Sequence, residues 1–221
     1  MDDSMTSLYL FVRGPLVWVA FIVFIVGSIY KICGLISVAK KDKVVLSYFS
    51  LKYSLRSILH WLVPFGSRNW RRQPVLTIVT FAFHICLISI PIFLLAHNIL
   101  WYESWGISWW TLPEGTADVM TLIVIAGCVY FLCRRLFSPQ VKYLTFASDY
   151  VLLAVVALPF ITGFIVYHQW VPSFMVIVHM LTGEIALMVL PFTRLFHMVF
   201  FWFTRAYTGS EFGLVRHVKD Y

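Results

Sequence analysis

The chain has 221 residues, 61% of them hydrophobic and 12% charged, with a mean hydropathy of +0.85. A soluble domain averages about 45–50% apolar and about 25% charged residues, so this composition excludes a soluble globular protein and describes an all-α integral membrane protein forming a single membrane domain over 1–221. Seventeen Lys and Arg against ten Asp and Glu give a net charge of +7; these cations gather between apolar runs, which makes the charge a matter of membrane topology and no sign of nucleic-acid binding.

The N-terminal stretch to Leu8 is acidic and lacks the basic region of a signal peptide. The first apolar run is also long and without a small-residue cleavage pattern, so it is expected to stay as a membrane span. A span takes about 20 apolar residues. Five segments qualify: 14–38, 74–102, 116–133, 144–167 and 171–204, the last long enough to project past a bilayer. Between the first and second lies a basic loop, 40–73, carrying Lys40, Lys41, Lys43, Lys52, Arg56, Arg68, Arg71 and Arg72. Arg134, Arg135 and Lys142 separate the third and fourth spans, and Arg205, Arg216 and Lys219 follow the fifth. The loops 103–115 and 168–170 contain no Lys or Arg. Basic loops stay in the cytoplasm, which predicts five transmembrane helices with the N-terminus outside and the C-terminus cytoplasmic.

The loops expected outside are aromatic, with Trp101, Tyr102, Trp105, Trp109 and Trp110 in one and Tyr167 and Trp170 in the other. Such rings form an interfacial belt, or else a stacking wall for a quinone or a docking face for a partner. In the basic loop, Tyr53, Arg56, Ile58, His60 and Trp61 alternate polar and apolar character, as in a short amphipathic helix on the membrane or under a cytoplasmic subunit. Cys33, Cys86, Cys128 and Cys133 lie in or beside apolar runs with neither metal-ligand spacing nor a disulfide framework, and read as small membrane residues.

Four histidines sit inside membrane-length apolar segments: His84 and His97 in the second, His179 and His197 in the fifth. A polar imidazole in hydrocarbon needs a partner, and these can be ligands of two metal centres. The first two are separated by about 20 Å of helix and the second two by about 27 Å, placing one ligand toward each side of the membrane on each helix. The two helices run in opposite directions, so depth pairs His84 with His197 near the cytoplasm and His97 with His179 near the outside. Two haems, each held by one histidine from either helix, fit this pattern, and the depth difference disfavours a shared zinc or copper site. At 100° per residue His84 and His97 point about 140° apart, and Pro91 between them can correct the register by removing a backbone hydrogen bond. Pro191 similarly precedes His197. Arg194, one turn before His197, and Arg134 and Arg135 at the inner end of the third span can pair with haem propionates; the last two can equally be topology-setting charge. Gly183, four residues after His179, would let a haem approach the backbone. Glu184 is the one acid deep in an apolar run, either a proton acceptor from quinol or a neutral carboxylic acid bonded to a neighbouring helix. His60, His168 and His217 lie in loop or terminal segments and are assigned no ligand role.

These residues resemble a known family. The run Arg134-Arg135-Leu136-Phe137-Ser138-Pro139-Gln140-Val141 with Asp149 following is similar to the cytoplasmic turn of the gamma subunit of respiratory nitrate reductase. So is Leu190-Pro191-Phe192-Thr193-Arg194-Leu195-Phe196-His197, with His179 and Gly183 upstream, and so is the tail Phe212-Gly213-Leu214-Val215-Arg216. The resemblance covers roughly the second to fifth spans. It implies a five-span di-haem cytochrome b that exchanges electrons with quinol and a cytoplasmic iron–sulfur partner, with the ligand pairing given by depth. Three features depart from that subunit: the 13-residue spacing of the second-span ligands, Ala96 where it has a glycine, and the long basic loop. With these traits the chain looks like the cytochrome b subunits of sulfate-reducer transmembrane redox complexes, the high-molecular-weight cytochrome complex and its tetrahaem relative. That resemblance implies two haem b groups, a heterodisulfide-reductase-like iron–sulfur subunit in the cytoplasm, a periplasmic multihaem cytochrome c, other membrane subunits, and a place in a bacterial or archaeal cytoplasmic (inner) membrane. Menaquinol is an alternative donor, with Glu184 and Trp105 as its candidate contacts, and the chain would then belong to a quinol oxidoreductase. The alternatives of another class are a cofactor-free membrane anchor and a histidine-relay transporter, the second disfavoured because the two halves show no internal symmetry.

Overall fold

The computed structural model describes residues 3–41 and 47–219; Lys43 of the basic loop lies outside them. All regular structure among the described residues is helical. In chain order the helices are α1 (Asp3–Phe11), α2 (Val17–Lys41), α3 (Leu51–Leu62), α4 (Arg68–Arg72), α5 (Pro74–Phe93), α6 (Leu95–Trp105), α7 (Glu114–Phe137), α8 (Pro139–Tyr143), α9 (Ala147–Tyr167), α10 (Met175–Val189) and α11 (His197–Gly209). A wide turn at Val12–Leu16 joins α1 to α2, and two tight turns over Leu190–Phe192 and Arg194–Phe196 join α10 to α11.

Five of the helical stretches are long and apolar enough to cross a membrane: Asp3–Lys41, Pro74–Trp105, Glu114–Phe137, Ala147–Tyr167 and Met175–Phe192. Their outward faces carry Leu, Ile, Val and Phe in quantity, which water would not tolerate and lipid favours. Each of the five expected spans has its counterpart, with two differences. The first begins some ten residues earlier, at Asp3, because α1 runs into α2 through the turn that accommodates Pro15. The fifth is not one helix to residue 204. Pro191 supplies no N–H to the turn before it, and Thr193 is extended (φ −125°, ψ −176°), so the helix stops and restarts at His197.

The chain divides into two compact units. One comprises Ile78–Gly183 with the segment ending at Val12; the other comprises Arg13–Thr77 and the chain from Glu184 onward. In the first, α5, α7 and α9 bury a cluster of Phe83, Cys86, Ile90, Val124 and Cys128, flanked by Leu153, Val156 and Phe160. Gly127 makes this packing possible, since a Cβ there would lie 2.7 Å from Phe83 Cδ2. At the start of α9 the buried Asp149 carboxylate accepts the Phe146 N–H at 2.9 Å and lies 3.7 Å from Arg135 Nη1.

In the second unit, α3 packs along α11 through small residues. The Ser54 hydroxyl donates to Ala206 O at 2.9 Å, Ser210 Oγ accepts from Ser50 N at 3.0 Å, and Arg205 donates to Ser57 Oγ at 2.8 Å while its guanidinium covers the Trp61 ring at 4.3 Å. Burial lowers the Arg205 pKa from its ordinary value. A Cβ at Gly209 would sit 2.4 Å from Tyr53 O, so the two backbones meet where no side chain intervenes. The turn at Pro191 and Phe192 rests on α2 at Gly27.

Candidate functional site: a facing histidine pair

The site is built around a break in the second span. Pro91 withholds one N–H from its helix, and three residues later Leu94 turns extended (φ −71°, ψ 133°), separating α5 from α6. The first N–H groups of α6 then have no intrahelical acceptors, and the carbonyls of Pro91, Ile92 and Phe93 lose the donors that a continuous helix would supply. Each finds another. Pro91 O accepts from His97 Nδ1 at 3.0 Å, Ile92 O from the Trp109 indole at 2.8 Å, and Phe93 O from Leu112 N at 2.8 Å. Asn98, buried, donates to Trp109 O at 2.7 Å and holds the Trp-rich loop to the break. The break therefore re-aims His97 and ties its ring back to α5, through Pro91 O.

His179 meets it from α10. The two imidazole centroids lie 6.2 Å apart with their planes 7° from parallel. Beside His179 on α9 are Thr162 and Gly163. The Thr162 hydroxyl donates to Leu158 O at 2.7 Å, which leaves its oxygen to accept from His179 Nδ1 at 3.3 Å, and Thr182 Oγ1 is 3.3 Å from the same oxygen. At Gly163 a Cβ would lie 2.8 Å from His179 Cε1 and 3.2 Å from Nδ1, so glycine is what lets the ring occupy this position.

The hydrogen bonds assign the tautomers. A carbonyl can only accept, so His97 Nδ1 carries the proton and the lone pair sits on Nε2. The same holds for His84, whose Nδ1 donates to Thr80 O at 2.7 Å, and for His197, whose Nδ1 donates to Arg194 O at 2.9 Å. With His179 turned by Thr162, all four histidines present Nε2 as the basic nitrogen. Metal-ligating histidines are held this way, one nitrogen bonded to protein and the other to metal.

Two imidazoles on opposite sides of one metal ion, at about 2.0 Å per bond and about 1.15 Å from nitrogen to ring centre, place their centroids about 6.3 Å apart. The observed centroid separation of 6.2 Å is of the size that one ion held between His97 and His179 would require. Among the described residues no three His, Cys, Asp or Glu side chains gather as an ion site, so the pair offers two nitrogen donors and no protein-made tetrahedron. A haem iron, whose remaining four ligands come from the porphyrin, matches that donor set.

The structure brings together His97 and His179 and sets the other expected site residues as follows. His84 belongs to the first unit and makes an edge contact with Phe83 at 5.2 Å; His197 belongs to the second and opens α11. A Cβ at Gly183 would meet nothing within 4 Å. Glu184 is 6% exposed, and neither carboxyl oxygen has a hydrogen-bond partner among the described residues. Arg194 lies exposed in the turn before His197. Arg134 and Arg135 line a cavity of about 430 Å³ with Phe131, Gln140, Val141 and Leu144, and Arg135 also reaches Thr145 at 3.5 Å. Trp105 packs edge-on against Trp101 at 4.4 Å, next to Gly106, whose left-handed φ of 67° ends α6. His168 lies 3.3 Å from Asp118 and against Trp170, while His60 is on α3 and His217 in the tail.

Thr162, Gly163 and Asn98 were not among the residues expected from sequence, and Trp109 was expected only as part of the aromatic loop. A threonine–glycine pair in the last third of an apolar span was the available signal for the first two. No family model matches the sequence. A protein of Nitratidesulfovibrio vulgaris strain Hildenborough is 36% identical over 223 residues, an alignment covering 95% of this chain and 95% of that one. At that identity over nearly the whole of both chains, this chain belongs to the same family as the N. vulgaris protein.

Proposed function

We propose that the chain is a di-haem b-type cytochrome subunit of a bacterial or archaeal cytoplasmic-membrane redox complex. It carries electrons between a periplasmic multihaem cytochrome c or menaquinol and a cytoplasmic heterodisulfide-reductase-like iron–sulfur subunit. The observation that carries this reading is the His97–His179 pair, with parallel rings and a 6.2 Å separation that suit axial ligation of one iron. The distribution of Lys and Arg supports an orientation with the Trp-rich loops outside and the basic loops and C-terminus in the cytoplasm. His97 and His179 then hold the outer haem and His84 and His197 the inner one.

Haem held by these histidine pairs would supply reversible one-electron chemistry. The chain's own residues do the rest. Pro91 O and Thr162 fix the Nδ1 protons of the outer pair, which raises the basicity of each Nε2 and fixes ring direction. Thr80 O and Arg194 O do this for the inner pair. Arg134, Arg135 and Arg194 are the available cations for propionates, with Arg135 shared by Asp149. The purified wild-type chain is expected to yield two haem b per polypeptide in a pyridine haemochromogen spectrum, and a colourless protein would reduce it to an anchor subunit.

Glu184 gives the quinol branch its own test. Its carboxyl group is buried, without the hydrogen bond that a purely structural acid would make within the described residues. As proton acceptor from menaquinol it would contribute on the scale of general-base catalysis, so Glu184→Gln is expected to slow quinol-driven haem reduction by about 10²-fold or more with haem content unchanged. Equal rates in stopped flow would remove the proton role and favour cytochrome c as donor.

A further inference from the structure

Helix α3 has three faces. Ser54, Ser57 and Trp61 turn to α11. A second face carries Leu51, Leu55, Leu59 and Leu62, which are 64%, 50%, 61% and 46% exposed, and Val63 extends it just past the helix. At 100° per residue the four leucines fall within an arc of about 80°, with Lys52 and Arg56 next around the helix. Beyond α3 the chain continues through Arg68, Arg71 and Arg72 directly into the membrane span that starts at Pro74. From residue 47 to 73 there are five Lys and Arg and no acid.

We infer that the leucine face of α3 lies in the lipid surface at the basic ends of the spans, with Lys52, Arg56 and the Arg68–Arg72 segment on anionic phospholipid headgroups. Four leucines on one face with cations at its edge is the pattern of an interfacial helix. A basic cluster immediately beside a membrane span is attracted by an anionic leaflet. Long basic side chains can leave their stems along apolar surface while the charges reach phosphate. α3 would then brace α11, the helix that His197 opens, against the bilayer. Nothing in this surface requires haem, so it stands or falls apart from the cytochrome reading.

The test uses the full chain in nanodiscs of phosphatidylglycerol or phosphatidylcholine, with exposed Cys33 and Cys133 replaced by serine and an environment-sensitive fluorophore on Leu59→Cys or Leu55→Cys. A label on the exposed Ser108→Cys serves as the water-exposed reference, away from the tail that Arg56 holds through Lys219 O at 3.0 Å. Both leucine positions face outward, so labelling leaves the packing of α3 on α11 intact. In phosphatidylglycerol, quenching at 59 by uncharged acrylamide is expected to be at least about fivefold weaker than at 108, and a lipid-borne nitroxide should quench it. Lys52→Glu with Arg56→Glu, or phosphatidylcholine, is expected to remove most of that protection, since each cation that loses its headgroup weakens the attraction about fivefold. Acrylamide access at 55 and 59 equal to that at 108 in phosphatidylglycerol would overturn the inference. So would protection indifferent to lipid charge, and so would protection seen only in an intact multisubunit complex, which would assign the leucines to a protein partner.

Discussion

Replacing His97 by alanine is expected to leave the chain with one haem b in place of two. On the proposed reading the imidazole would supply one of two protein nitrogens in its site, because no third His, Cys, Asp or Glu gathers there among the described residues. Truncation also frees Pro91 O, but a single lost hydrogen bond costs about 0.5–1.5 kcal/mol, too little to unfold a five-span bundle. The loss should therefore be local: the haem assigned to His84 and His197 persists, and the pyridine haemochromogen value falls by half. Added imidazole should enter the space left by the side chain and restore six-coordinate absorption, a readout that misfolding would not give. Two haems in the variant would show that His97 is no ligand, and the 6.2 Å pair would then be a packing contact.

The five spans were legible because lipid demands long apolar runs and leaves little room for ambiguity. The histidines stood out for the same reason. What the sequence does not display is how the second span breaks. Pro91 marks the neighbourhood, but the extended residue is Leu94, and the break holds because Trp109 and Leu112, in the loop that follows α6, satisfy the carbonyls it exposes. A local pattern contains no information on a partner that arrives through a loop. The same limit hid Thr162 and Gly163, whose roles exist only once α9 lies against His179. The fifth span read as continuous to residue 204, although Pro191 and Thr193 divide it, because hydropathy is blind to backbone geometry. In the basic loop the alternating pattern did point to α3, but the serines that fix it to α11 pair across some 150 residues and carry no periodic signal of their own.

Gly163→Val is expected to abolish the same haem while leaving both histidines in place. A Cβ at 163 would stand 2.8 Å from His179 Cε1, and the two methyl groups of valine would enlarge that overlap. With nothing bound, the imidazole is the far end of a flexible side chain and can swing away, so the apoprotein should fold and its thermal stability should change little. Ligation removes that freedom. On the proposed reading the ring would be held through Nε2 by the iron as well as through Nδ1 by Thr162, and a displacement of a few tenths of an ångström would have to come from a bond of about 2.0 Å. Gly163→Ala should accordingly keep its haem with a weakened axial bond, seen as a shifted midpoint potential and a perturbed low-spin spectrum, while valine should lose it. The graded series separates a positioning role from a general packing defect, because a packing defect would lower the stability of the apoprotein in parallel. Equal haem content and an unshifted potential across glycine, alanine and valine would mean that His179 binds iron in another position, or does not bind it.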